Sequence, residues 1–281
     1  MQLAPRYGSD PVITLDGRAG DIGALAIRQR RRLAATLATL DDDQWAHPSR
    51  CSGWSVRDVV VHLEGTNPFW AFSMEAGVRG DPTRFLATFD PVASPAQMVA
   101  AAPATTNGEL CERFAASVEA FVSTIESLDA GGWAALAEAP PGHISVNALV
   151  HHALWDSWVH ERDVMLPLGL SPEESADEIV ASLRYVAALG PALAMNAGNR
   201  GRGEFAVCVT EPDESFTVAI ADAVHVRTGA APAGLTLTGR AVDLLEALSI
   251  RAPFLQPVPT DVAWMVQGLA ETFESTPHPL P

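Results

Sequence analysis

The sequence contains no lysine: all 18 of its basic residues are arginine. A Schiff-base lysine and a phosphate-gripping P-loop lysine are therefore excluded from any mechanism. Positive charge is scarce altogether. Against the 18 arginines stand 34 Asp and Glu, a formal net charge of −16, so the phosphates of a nucleic acid would be repelled. The one basic run, Arg28, Arg30, Arg31 and Arg32, falls on a predicted helix and reads as a solvated face. Cysteine is equally sparse. Cys51, Cys111 and Cys208 are odd in number and widely spaced, which suits neither a disulfide framework nor a zinc ribbon and points to a reducing, cytoplasmic setting. The first residues hold no apolar signal-type stretch, and no run approaches the roughly 18 apolar residues of a membrane span, so neither export nor a membrane is expected. GxSxG, GxGxxG and GxxxxGK[ST] are all missing. A nucleophile-elbow triad, a dinucleotide fold and a P-loop have no support.

What is present is the material of a folded protein larger than one small domain: 281 residues, 48% hydrophobic and 19% charged. Residues 1–20, rich in Gly and Pro, read as a loosely packed tail. Helical periodicity then predicts a helix over 21–40. Ser55 with Asp58 approximates a capping box for a second helix running into the seventies, and a third spans about 105–128. Prolines at 82, 91, 95 and 103 punctuate the excursion between the last two. After a loop around Pro140, Pro141 and Gly142, Ser145 can cap a fourth helix ending near Leu166. Four long helices with one long connection suggest a bundle over 21–170.

The texture then changes. Ser171, Pro172 and Glu174 form a helix-start signal for a segment ending near Gly198. Short β-like runs follow, EFAVCVT, SFTVAIAD, AVHVRTG and AGLTLTG, with helices at 240–248 and 262–272. Residues 171–281 therefore read as a small α+β unit, closing on the Pro-rich TPHPLP.

The fourth helix carries LVHHALWDSWVHERDV, in which Asp156 and His160 lie four apart. Their Cβ atoms should be roughly 5–6 Å from each other, close enough to reach one ion. A third ligand must come from a facing helix, and His62, on the apolar face of the second, is the candidate. Each residue alone has an ordinary alternative: a satisfied core histidine, or a helical Asp–His hydrogen bond. His152, one turn before Asp156, either supports this site or touches substrate, and His151 reads as a bystander. Histidine, carboxylate and histidine suit Zn²⁺ best, with Fe, Ni or Mn compatible, and three protein ligands leave a position open for chemistry. Trp54, Trp70, Trp155 and Trp158 could line a pocket, though helical spacing suits core packing. Glu161, Arg162 and Asp163 read as a solvated turn, with Arg162 a candidate contact for an anionic group. Cys111 and Cys208 fall inside a predicted helix and strand and read as inert packing.

CSGWSVRDVVVHLEG at 51–65 and WDSWVHERDV at 155–164 resemble the two metal-site motifs of the mycothiol-dependent maleylpyruvate isomerase family, within the DinB-like metal-binding four-helix bundles. The resemblance covers about residues 20–170. It implies metal ligation by His62, Asp156 and His160, Zn²⁺ as the expected ion, and the actinobacterial thiol mycothiol as cosubstrate. Cys51 then occupies a common family position and is expected to be structural. One departure is Asp156, where the better-known isomerases carry Glu. Residues 171–281 are similar to the sterol-carrier-like α+β domain that often follows the bundle; TGRAVDLLEALSIRAP resembles its late Arg pattern, so Arg251 is expected either to close over the site or to cap a helix end. The expected function is a thiol-using isomerase or S-transferase acting on a small electrophile, as monomer or homodimer. A hydrolase or lyase using metal-bound water, and a non-catalytic ligand-binding bundle, remain as alternatives.

Overall fold

The computed structural model describes residues 3–273. The four expected long helices are α1 (Asp21–Leu37), α3 (Val56–Val78), α5 (Asn107–Glu126) and α7 (Val146–Met165). α1 and α3 each pack against both α5 and α7, closing a four-helix bundle. A short α2 (Asp42–Ala46) precedes α3, and α4 (Ala93–Ala100) lies in the proline-punctuated excursion. The caps follow the local sequence. Ser55 and Asp58 form a reciprocal capping box at the start of α3, Thr106 and Glu109 do so for α5, and Ser145 Oγ accepts the Ala148 N–H at the start of α7.

The segment around the paired prolines is more than a loop. After α6 (Ala130–Ala134), β2 (Leu136–Ala139) and β3 (Gly142–Ser145) form an antiparallel pair. β2 lies against α3, where Gly77 is required: a Cβ there would stand 2.0 Å from the Leu136 carbonyl oxygen.

Beyond the bundle, α8 (Ala176–Asn196) packs on α7 on one side and on the C-terminal sheet on the other. That sheet has five strands in the order β1-β6-β5-β4-β7, with β4 (Gly203–Thr210), β5 (Glu214–Ile220), β6 (Val224–Thr228) and β7 (Leu235–Arg240). β4, β5 and β6 pair antiparallel, and β7 adds parallel to β4. α9 (Ala241–Leu248) and α10 (Trp264–Phe273) complete the unit. α8 is long and apolar enough to cross a membrane by composition, yet 83% of its apolar window is buried inside the protein, as befits a core helix.

Three expectations are corrected here. The described part of the expected tail, residues 3–20, is not loose: Ile13–Leu15 is β1, paired parallel with β6, and Leu3, Val12 and Ile13 are buried. A β-branched run had an open sheet edge to join and apolar area to bury. Secondly, α8 begins at Ala176 and not at Ser171, because Glu174 reaches Arg162 (3.1 Å) and Glu173 lies 3.8 Å from Arg32, so tertiary ion pairs take the acids that would have served a helix start. Thirdly, the arginine run is no solvated face. Arg28 and Arg31 are largely exposed, but Arg32 bridges the buried Glu161 and Glu178 at 2.9 and 2.8 Å, and Arg30 is only 1% exposed in the bundle interior. The Pro-rich end TPHPLP lies outside the described residues.

Candidate metal centre

The capping box at Ser55 sets the register of α3 and places His62 two turns in. α7 is apolar on nearly every side, so it is buried on nearly every side, and its polar residues must find partners within the protein. Asp156 and His160 sit one turn apart and meet His62 across the bundle. The ligand-type atoms of the three lie within 4.8 Å of one another. His160 Nε2 is 3.6 Å from Asp156 Oδ1, and the His62 and His160 rings stand 5.1 Å apart, nearly perpendicular. Trp54 walls the site, 5.5 Å from the His62 ring.

The electrostatics suit a cation. Burial pushes the His62 pKa down to about 4, with His160 adding to the shift, so His62 is a neutral imidazole with a lone pair to give. Burial works against the Asp156 carboxylate, yet the neighbouring His160, His62, His152 and Arg30 hold it below its usual range. Asp156 Oδ2 is buried and has no hydrogen-bond partner among the described residues. A buried carboxylate oxygen without a hydrogen-bond partner leaves acceptor capacity unused, and with the two imidazoles beside it the donor set matches a divalent ion such as Zn²⁺.

Behind His160 stands a group of residues that sequence reasoning did not assemble. The fully buried Asp163 accepts from His160 Nδ1 at 3.0 Å, which leaves Nε2 facing Asp156 and His62. Arg251 donates to both Asp163 oxygens at 2.8–3.1 Å. The Cys51 thiol donates to Asp163 Oδ2 at 3.2 Å and lies 3.7 Å from both His160 Nδ1 and Arg251 Nη2. Burial opposes a charged His160, but Cys51, Asp163 and Asp156 prevail and raise its pKa well above the ordinary imidazole range. Cys51, His160 and Asp163 also lie within 4.8 Å of one another. A cation there would have to share Asp163 with the Arg251 guanidinium, so the His62, Asp156, His160 group is the better site.

Arg251 is held by the end of α9. Its N–H reaches back to the Glu246 carbonyl at 2.9 Å and that of Ile250 to Ala247 at 3.1 Å, a Schellman-type turn with Ile250 at φ 55°. A β-branched residue is strained in that conformation, so the turn that aims Arg251 at Asp163 is fixed by its surroundings.

The other expected residues fall elsewhere. His152 is buried, its Nδ1 2.9 Å from the Tyr185 hydroxyl and its ring against Trp70 at 4.7 Å, one turn from the trio but not within it. Arg162 pairs with Glu246 at 2.7 Å and Glu174 at 3.1 Å and lies over Trp158, so it ties α7 to α9 and does not join the site. Glu161, Arg162 and Asp163 are not a solvated turn: they are 1%, 8% and 0% exposed. The available signal was the all-round apolar pattern of this helix, which obliges embedded charges to pair. Trp155 and Trp158 are core, and Trp155 Nε1 donates to Ser249 Oγ at 2.8 Å. His151 binds the Asn147 carbonyl of its own helix at 2.8 Å.

A four-helix bundle followed by a unit built on a mixed sheet is a DinB-like N-terminal domain joined to a β domain. Residues 27–165 match the family described as the mycothiol maleylpyruvate isomerase N-terminal domain, and through this domain the chain belongs to that family. Among solved structures, a mycothiol-dependent maleylpyruvate isomerase superposes with a TM-score of 0.59 at 15% identity, covering 84% of this chain and 91% of that one. A histidine-to-alanine mutant of a mycothiol-dependent maleylpyruvate isomerase gives 0.60 at 14% identity with the same coverage. At such identity the likeness is one of fold. No curated protein sequence matches the chain significantly.

Proposed function

We propose that the protein is a metal-dependent, thiol-using enzyme, a mycothiol-dependent cis–trans isomerase or S-transferase acting on a small electrophilic substrate. The observation that carries this reading is the convergence of His62, Asp156 and His160, ligand atoms within 4.8 Å, around a buried carboxylate oxygen without a partner. These three residues would hold a divalent ion, Zn²⁺ by donor type. Bound there, the ion would supply the positive charge that keeps a low-molecular-weight thiol ionised, as the nucleophile that adds to a conjugated cis alkene and lets it rotate before elimination. The remaining residues have supporting tasks. Asp163 fixes the His160 tautomer, Arg251 and Cys51 hold Asp163 in place, and Trp54 screens the site from water.

The test is elemental analysis of the purified protein followed by assay with and without mycothiol. Near-stoichiometric metal is expected in the wild type, with loss of metal but retention of helicity in His62→Ala and His160→Ala. Full metal occupancy in both variants would overturn the site assignment, and turnover independent of added thiol would overturn the proposed chemistry.

A further inference from the structure

Arg30 is 1% exposed in the middle of the bundle, with no carboxylate in hydrogen-bond reach among the described residues. Its Nε donates to Asn67 Oδ1 at 3.1 Å and its Nη2 to the Ala153 carbonyl at 2.7 Å. Its guanidinium lies 4.2 Å from the centre of the Phe121 ring, and Asn67 in turn donates to Ser117 Oγ at 3.1 Å. One side chain of α1 therefore grips α3, α5 and α7 together. The points it grips are specific: Asn67 follows His62 on α3 by five residues, and Ala153 precedes Asp156 on α7 by three. Arg30 Nη1 is buried without a partner, as is Asp156 Oδ2.

A buried guanidinium is expensive, and a hydrophobic residue of similar volume often serves a core as well or better. Its geometry suggests what it does instead. Gripping the carbonyl one turn before Asp156 and an amide on the His62 helix sets the spacing of the two ligand-bearing helices. Its charge has a second consequence. A divalent ion held by one carboxylate and two neutral imidazoles keeps one uncompensated positive charge, and Arg30 adds another in the same low-dielectric interior. Such a centre prefers an anionic ligand at its open position to a neutral water.

We propose that Arg30 is a positioning residue of the metal centre, fixing the Asp156 turn of α7 against the His62 helix and biasing the open position towards an anionic sulfur ligand. This rests on the metal site proposed above, and the two can fail separately.

The experiment uses the full chain loaded with Co²⁺, whose ligand-field absorption reports geometry and whose sulfur-to-cobalt charge-transfer band reports thiolate binding, with 2-mercaptoethanol as probe. If the wild type takes up no Co²⁺, or His62→Ala takes it up unchanged, the metal site itself falls. Given wild-type uptake that His62→Ala abolishes, Arg30→Gln is expected to displace the ligand-field band and weaken 2-mercaptoethanol binding about tenfold, as removal of one buried charge near the ligand requires. Arg30→Lys keeps the charge but not the fork, so it should restore most of the thiol affinity while leaving the ligand-field band displaced. A ligand-field band and thiol affinity in Arg30→Gln that match the wild type would overturn the proposal. Should that variant fail to fold, an unshifted band in Arg30→Lys would do the same.

Discussion

His160 uses its two ring nitrogens for different tasks, and this makes metal binding pH-dependent in a definite direction. Nδ1 is committed to Asp163, so a cation must take Nε2 and displace any proton there. Since its surroundings raise the His160 pKa above the ordinary imidazole value, a cation entering the site competes with a proton for that nitrogen. Metal affinity should therefore rise with pH, by up to about tenfold per unit and with up to one proton released per ion where His160 is protonated. His62, pushed down to about 4, should contribute no second proton above about pH 5. Competition titration against a chromophoric chelator at a series of pH values checks this, and a pH-independent affinity would contradict it. Asp163 offers a second test. Burial opposes its charge, but the His160 hydrogen bond and Arg251 hold its pKa well below the carboxylate range. The stability it contributes is thus present above the ordinary carboxylate pKa and lost as the pH falls towards its folded-state value. Asp163→Asn keeps the shape and leaves Arg251 uncompensated. The expected cost is about 3 kcal/mol in urea denaturation and about 10–100-fold in metal affinity. Spacing on one helix makes the Asp156–His160 pair legible in the sequence. Asp163, Cys51 and Arg251 converge across 200 residues of chain from Cys51 to Arg251, a juxtaposition that no local pattern encodes.

At the level of elements, what was legible was what local chemistry dictates. The capping box of α3, the Ser145 cap of α7 and the 3.6-residue periodicity mark these two helices, which position all three candidate ligands. The start of α8 and the strand β1 were not legible, because tertiary partners decide both: the arginines of α1 and α7 in one case, the edge of β6 in the other. The packing of α10 on α8 likewise depends on contacts no periodicity reveals. A Cβ at Gly268 would stand 2.0 Å from the Gly190 carbonyl oxygen and 2.8 Å from the Ala194 nitrogen, both backbone atoms that cannot swing away. In an isolated helix, Gly to Ala is favourable by about 1 kcal/mol. Here the sign should reverse, with Gly268→Ala lowering stability by about 1–3 kcal/mol as the helices separate. Thermal and urea denaturation will measure it. Ser55→Ala, by contrast, should cost about 1 kcal/mol through loss of the cap alone, with the bundle otherwise intact.

At the scale of the molecule, the bundle and the α+β unit are distinct in sequence texture but continuous in their interior. One apolar cluster runs from Trp70, Phe121 and Trp158 of the bundle through Tyr185 and Leu189 of α8 to Phe205, Phe216 and Leu237 of the sheet. Polar links span the same junction. Arg32 of α1 holds Glu178 of α8, Arg162 of α7 holds Glu246 of α9, and Arg251 beyond α9 holds Asp163 of α7. β1 crosses in the opposite sense, carrying chain from before the first bundle helix into the C-terminal sheet. Two units that share a core, with a strand from before one completing the sheet of the other, cannot unfold independently without exposing large apolar surface on the survivor. The metal-free protein should therefore melt in one calorimetric transition, with a van't Hoff enthalpy close to the calorimetric one. Arg251→Ala should lower that single transition without splitting it, because the shared apolar core remains after the ion pair is lost. Two resolved transitions in the wild type would mean that the α8 interface is a docking contact between separate domains. The second part of the prediction concerns the site: since Arg251 reaches Asp163 only while the C-terminal unit is folded against α7, the metal affinity of the wild type and the stability of that unit should rise together. Excess Zn²⁺ is accordingly expected to raise the melting temperature of the whole chain, and of Arg251→Ala by less.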